Sequence, residues 1–139
     1  MRPRDLLYGL SRPPVLAGAA AQAAVLGAYV ARADAPSGTV LVAGLCGGAV
    51  AGSLVDRPSD GWVEGAFASA LGYLAFAVGF LGYGVYLAFT LGTGLVLRQT
   101  VLFVTALSVW ALPAYAVLGA VAASAVGHVI AAARRRVSR

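Results

Sequence analysis

Charged residues divide this chain into long uncharged stretches. Four windows contain no Asp, Glu, Lys or Arg, and they cover residues 13–31, 35–55, 65–97 and 99–133. A helix needs about 20 apolar residues to cross the ~30 Å hydrocarbon core of a bilayer. The windows are continuously apolar and do not alternate with polar residues, which favours helices over a β-barrel. The pattern predicts an all-α fold, an integral membrane bundle of four transmembrane helices.

Prolines, glycines and isolated charges between the windows indicate where the helices begin and end. We expect one transmembrane domain over 15–133, flanked by an N-terminal segment at 1–14 and a basic tail at 134–139. The expected spans are about 15–31, 39–55, 62–86 and 101–133. Leu91-Gly-Thr-Gly94 is a turn signal before the last span, and Pro113 should bend that span.

Residues 65–133 could form either two or three spans. Three spans fit by length, but they would place Arg98 deep in a helix at about +2.5–3.5 kcal/mol. Two spans place Arg98 in a loop on the outer side. Because the two chain ends carry local charges of +2 and +4, the positive-inside rule favours an even number of spans, with both termini in the cytoplasm of a cell-membrane protein.

Residues 1–33 also resemble a secretory signal, with a basic start, an apolar core and Ala31-Arg-Ala33 as a cleavage pattern. Ala-x-Ala arises readily by chance in an alanine-rich chain. We therefore expect the segment to be retained as the first span.

Composition narrows the function classes. Hydrophobic residues make up 60% of the chain and charged residues 11%, which excludes a soluble globular domain. The net charge of +5 invites a nucleic-acid interpretation, but arginines at the two chain ends explain it, so we expect no nucleic-acid partner. The single Cys46 excludes an internal disulfide and a multi-cysteine metal site. With no nucleotide-binding or hydrolase motif in the chain, we expect no enzyme activity, no cofactor and no metal.

Glycine spacing is the most specific signal. Small residues four apart clear one face of a helix, so that another backbone can approach closely. The second and last spans repeat this pattern 75 residues apart, which suggests two related helical hairpins as a parallel repeat. The predicted helix-packing residues are Gly44, Gly48, Gly52, Gly65, Gly72, Gly119, Ala123 and Gly127. Packing within one bundle is the simpler interpretation, and a homo-oligomer formed through these faces is the alternative.

Few polar side chains lie within the predicted spans, and such residues are functional candidates by default. Gln22 falls near the middle of the first span, where an interhelical hydrogen bond is the simplest role. Glu64 and His128 fall near the cytoplasmic boundary, where a pair of them would respond to pH. Together these three form the candidate polar pathway of a channel or transporter.

Aromatic and basic residues have the distribution of membrane anchors. Trp62 marks the inner end of the third span, and Tyr83 and Tyr86 mark its outer end. The Arg134–Arg136 cluster is suited to the anionic inner leaflet.

Two stretches carry a resemblance to a known family. Gly47-Gly-Ala-Val-Ala-Gly-Ser-Leu54 is followed, after a short charged loop, by Asp60-Gly-Trp-Val-Glu-Gly-Ala-Phe-Ala-Ser-Ala-Leu-Gly72. This pattern resembles small haloarchaeal membrane proteins of a domain-of-unknown-function family with about four spans. The resemblance implies four membrane helices and no known activity. Pro36-Ser-Gly-Thr-Val-Leu-Val-Ala43 also resembles the start of the second span in small four-helix fluoride channels, but Ala43 stands where those channels have Asn.

The residues favour a non-enzymatic structural or interaction protein of the membrane, whose expected partners are the lipid bilayer and, as an alternative, further copies of itself. A small channel or transporter subunit is the second hypothesis. It requires Gln22, Glu64 and His128 to meet in one cavity.

Overall fold

The computed structural model describes residues 13–32, 38–55 and 61–137. Within these ranges the chain is all-helical, with four helices that we number in chain order. They are α1 (Pro13–Ala31), α2 (Gly38–Leu54), α3 (Gly61–Leu91) and α4 (Gly94–Val137). The N-terminal segment as far as Arg12, the connections 33–37 and 56–60, and the last two residues of the predicted basic tail lie outside the described residues.

Local chemistry explains the helix ends. Proline is tolerated in the first turn of a helix, where its missing N–H has no partner to lose, and α1 begins at Pro13. Glu64 lies in the first turn of α3 and Arg134–Arg136 in the last turn of α4, where the helix dipole favours a negative and a positive charge respectively.

The turn between α3 and α4 is capped on both sides. Gly92 has a φ of 63°, and the Thr93 N–H donates to the Ala88 carbonyl at 3.2 Å, which is a Schellman end for α3. The Thr93 hydroxyl then accepts the Leu95 N–H at 3.2 Å and caps the start of α4. These bonds start the helix at Gly94, seven residues before the predicted start of the last span.

Arg98 is therefore not in a loop, as the sequence had suggested. It lies in the second turn of α4, and its side chain is exposed. Residues 61–137 form two helices and not three. Pro113 lies inside α4, and the helix continues through it.

The four helices do not pack as a symmetric square. Helices α2 and α3 contact each other and also contact both outer helices, whereas α1 and α4 make no contact with each other in the described part of the chain. At a rise of about 1.5 Å per residue, α3 is roughly 45 Å long and α1 roughly 28 Å. The α3–α4 hairpin therefore extends past the end of α1.

Three of the four helices are long and apolar enough to cross a membrane: Pro13–Ala31, Gly61–Leu91 and the segment Gly94–Arg136 of α4. The fourth helix, α2, contributes the shorter apolar stretch Val42–Leu54.

Candidate functional site

Glycines let α2 lie directly against α4. A Cβ atom added at Gly48 would lie 2.6 Å from the Gly119 Cα, and one added at Gly52 would lie 2.5 Å from the Ala123 Cα. At Gly44 the added atom would lie 2.5 Å from the Tyr115 ring. Real Cβ atoms do not approach other atoms so closely, so only glycine fits these three positions. These contacts pair residues 71 apart in the chain, so α2 and α4 run in the same direction.

The same device joins α3 to its neighbours. A Cβ atom at Gly65 would overlap the Ala123 side chain and the Gly119 carbonyl, and one at Gly119 would overlap the Ser69 hydroxyl. At Gly72 the added atom would lie 2.8 Å from the Ala19 carbonyl oxygen of α1. Each of these glycines contacts another helix of the same chain, so these helix faces are not available for self-association. Gly127, the last of the predicted packing residues, is also buried.

Ser69 joins the four helices at one level of the bundle. The fully buried Gln22 of α1 donates from Nε2 to the Ser69 carbonyl oxygen at 2.9 Å. The Ser69 hydroxyl donates to the Gly44 carbonyl oxygen of α2 at 3.0 Å. Gly119 of α4 packs against the same hydroxyl. We call Gln22, Ser69, Gly44 and Gly119 the Ser69 node, and its two interhelical hydrogen bonds run from side chains to helix carbonyls.

The second polar atom of Gln22 is held against a glycine. Its Oε1 is buried and has no hydrogen-bond donor among the described residues. A Cβ atom at Gly47 would lie 2.5 Å from this oxygen, so the amide fits only because position 47 has no side chain. Gln22 therefore acts as a helix-to-helix tether whose position depends on Gly47.

A second polar contact lies one turn further along α3. The Tyr73 and Ser108 hydroxyls are 3.0 Å apart, and Ser108 also donates to the Val104 carbonyl oxygen at 2.7 Å. The Tyr73 ring packs against Tyr115 with the ring centroids 5.4 Å apart. This contact ties α3 to α4.

The three candidates for a polar pathway lie in different environments. Gln22 is enclosed at the Ser69 node, and Glu64 is buried in the first turn of α3. His128 is exposed, and its Nδ1 lies 2.8 Å from the Ser124 carbonyl oxygen of its own helix, to which it donates. His128 lines an open groove of about 530 Å³ with Trp62, Ala120, Val121, Ser124 and Ala125. That groove includes neither Gln22 nor Glu64.

Among the described residues, no group of three or more His, Cys, Asp or Glu side chains is placed to hold a metal ion. Cys46 is a free, half-buried thiol.

Two features escaped the sequence analysis. Ser69 was not predicted to link helices, because its hydroxyl donates to a main-chain carbonyl and its own main-chain carbonyl accepts from Gln22, and the sequence marks neither carbonyl. Trp110 was not considered at all, yet its side chain is 79% exposed on the outside of α4. Its position in the middle of a long apolar helix is the available signal, since Trp is typical of helix ends in membranes.

Comparison with known protein families, with curated proteins and with solved structures found no match to this chain.

Proposed function

We propose that this chain is a small integral membrane protein whose four helices cross the bilayer, and that its role is structural or interactive and not enzymatic. The observation that carries the proposal is the distribution of side-chain size. Gly, Ala and Ser dominate the buried positions, and large apolar side chains such as Leu74, Val78 and Val117 are exposed. An apolar exterior of this extent is incompatible with water, whereas hydrocarbon solvates it.

Small residues inside the bundle are what helix association in lipid requires. Lipid tails are as apolar as Leu, so burial from lipid gives no hydrophobic gain, and close backbone packing and hydrogen bonds hold the helices together. The Gly48–Gly119 contact supplies the first and the Ser69 node supplies the second. The polar atoms at this node serve to hold helices together, which favours a structural role.

Exposed aromatic residues define the depth of the bundle. Trp62 lies at the start of α3 and is 56% exposed, and Tyr83 lies about two turns before the end of α3 and is 54% exposed. Their separation of 21 positions corresponds to about 31 Å of helix, close to the ~30 Å of a hydrocarbon core. Thr100 contacts Gly84, so Arg98 lies just beyond Tyr83, where its guanidinium reaches the headgroups.

The exposed Arg134–Arg136 cluster lies at the Trp62 end of the bundle. By the positive-inside rule this end faces the cytoplasm, so we propose cytoplasmic termini.

The resemblance to haloarchaeal membrane proteins agrees with this architecture and stays a prediction. The equivalence of the two hairpins also stays a prediction. The helix lengths do not support it, because α1 and α2 have 19 and 17 residues whereas α3 and α4 have 31 and 44. We do not propose the channel alternative, because the groove at His128 includes neither Gln22 nor Glu64.

Membrane extraction and labelling test the proposal. The protein should stay in the membrane pellet after alkaline carbonate extraction. In a Cys46→Ser background, a Thr93→Cys variant should react with a membrane-impermeant maleimide from outside intact cells. A Ser138→Cys variant, near the C-terminus, is the matched control and should react only after the cells are lysed. Release by carbonate, or labelling of position 138 in intact cells, would contradict the proposal.

A further inference from the structure

The outer face of α4 carries a regular apolar seam. Exposed side chains recur there at alternating spacings of four and three residues, which is the heptad pattern of helices that pack side by side. We define the α4 seam as Phe103, Leu107, Trp110, Ala114, Val117 and Val121. At about 1.5 Å per residue it is roughly 27 Å long, nearly the full depth of a hydrocarbon core.

Trp110 sits at the centre of this depth. Its helix neighbour Ser108 bonds Tyr73, and Tyr73 lies about 15 Å along α3 from both Trp62 and Tyr83. No described residue accepts a hydrogen bond from the Trp110 indole. An unpaired N–H in hydrocarbon is unfavourable by a few kcal/mol, on the order of 1–3 in proteins. A Trp at this depth therefore needs an acceptor from outside the monomer.

An acceptor that lacks its usual donor lies beside it. Proline has no N–H, so Pro113 cannot make the helical hydrogen bond to the Val109 carbonyl oxygen. Val109 and Pro113 lie within one helical turn of Trp110, and both are exposed. One patch of the lipid-facing surface thus holds an indole donor and a carbonyl acceptor at adjacent residues.

We propose that a second copy of this chain covers the α4 seam as a parallel two-fold dimer, with each Trp110 N–H donating to the Val109 carbonyl of the other copy. A two-fold axis brings the same patch of both copies together, so donor and acceptor are satisfied twice with no other partner. A lipid tail offers neither group. The inference rests on the proposed membrane placement, which puts both chains in one orientation. The dimer also differs from a glycine-mediated oligomer, because Gly48 and Gly119 are occupied within the monomer.

Disulfide cross-linking tests the dimer. In a Cys46→Ser background, Val117→Cys places a thiol on the seam, and Leu74→Cys places one on an exposed face of α3, away from the seam, as a control. Oxidation with a copper–phenanthroline catalyst in dilute proteoliposomes should cross-link Val117→Cys about tenfold more than Leu74→Cys. Equal cross-linking in membrane-inserted protein would overturn the dimer alone. Failure of both variants to insert would overturn the membrane proposal as well.

Two further variants test the hydrogen bond itself. Trp110→Phe keeps a ring without a donor, and Pro113→Ala restores the helical donor to the Val109 carbonyl. Because the two-fold dimer loses both of its symmetric hydrogen bonds in either variant, each variant should raise the dimer dissociation constant about eightfold or more, the effect of two average hydrogen bonds between membrane helices. The double variant should be no weaker than either single one, since both remove the same bond. Unchanged dimerisation in both variants would overturn the assignment of this bond.

Discussion

The Gln22 amide of α1 donates to the Ser69 main-chain carbonyl oxygen of α3 at 2.9 Å, and both residues are fully buried. The Ser69 hydroxyl donates to the Gly44 carbonyl oxygen of α2, and Gly119 of α4 packs against the same hydroxyl. One serine thus links all four helices, and its contacts on α2 and α4 are glycines, which are small enough to permit that. The stability of the bundle should depend on this level more than on its polar ends.

Gln22 and Gly47 should be energetically coupled. Gly47→Ala would push a methyl group to 2.5 Å from the Gln22 Oε1 and displace the amide from Ser69. We expect it to lower the free energy of unfolding by about 1–3 kcal/mol, the range for steric and buried-polar defects. In a Gln22→Ala background the loss should shrink by at least ~1 kcal/mol. Unfolding by SDS titration in mixed micelles measures all four variants, and additive effects would show that the two residues do not interact.

Gly119 and Gly79 offer a matched pair for the packing of the helices. An added Cβ overlaps the Ser69 hydroxyl at Gly119, whereas at Gly79 it meets no atom within 4 Å. Gly119→Ala should lower the free energy of unfolding by about 2 kcal/mol or more. Gly79→Ala should be neutral or stabilise by up to ~1 kcal/mol through helix propensity. The same SDS titration compares the two, and equal effects would mean that α4 does not approach α3 as described.

Ser69 and Ser53 allow a hydrogen bond between helices to be compared with one inside a single helix. Ser53 donates to the Val50 carbonyl oxygen of its own helix at 2.8 Å, whereas Ser69 reaches across to Gly44. Ser69→Ala should reduce the free energy of unfolding by about 0.6–1.7 kcal/mol, the range for hydrogen bonds between membrane helices. Ser53→Ala should change it by less than ~0.5 kcal/mol. A larger loss at Ser53 would contradict the role given to the Ser69 node.

Gly92 and Gly94 flank Thr93 in the α3–α4 turn but differ in backbone conformation. Only Gly92 has a positive φ, at 63°, and both positions have open space for a methyl group. Gly92→Ala should destabilise the protein by about 1–2 kcal/mol because L residues disfavour this region. Gly94→Ala should have little effect, as checked by thermal unfolding in the same detergent. Equal melting temperatures for the two variants would rule out the Schellman end of α3.

The sequence reveals which helix faces are small, but not which faces meet. The spacing of Gly44, Gly48 and Gly52 predicts a packing face from residue size alone. Their partners in α4 depend on the relative height of two helices, which the spacing of small residues does not reveal. Gln22 likewise predicts a buried hydrogen bond, but its acceptor is a backbone carbonyl, and every residue has one.

The start of α4 differs from the sequence analysis for a different physical reason. The turn signal Leu91-Gly-Thr-Gly94 coincides with the end of α3 and the start of α4. Arg98 was assigned to a loop because an arginine inside a membrane helix is unfavourable. That reasoning assumed that the helix ends where the hydrocarbon ends. Helix α4 has 44 residues and begins beyond the level of Tyr83, so Arg98 is helical, and in the proposed placement its side chain still reaches the headgroups.

Tryptophan depth tests the membrane placement most directly, because the chain has two tryptophans at different heights. In the Trp110→Phe variant only Trp62 fluoresces, and in Trp62→Phe only Trp110 does. Vesicles of lipids brominated either near the headgroup or deep in the acyl chain quench nearby indoles. The account predicts that the shallow bromines quench Trp62 more strongly and that the deep bromines quench Trp110 more strongly. Stronger quenching of Trp110 by the shallow bromines would contradict a four-helix bundle placed across the bilayer with Trp62 at its inner edge.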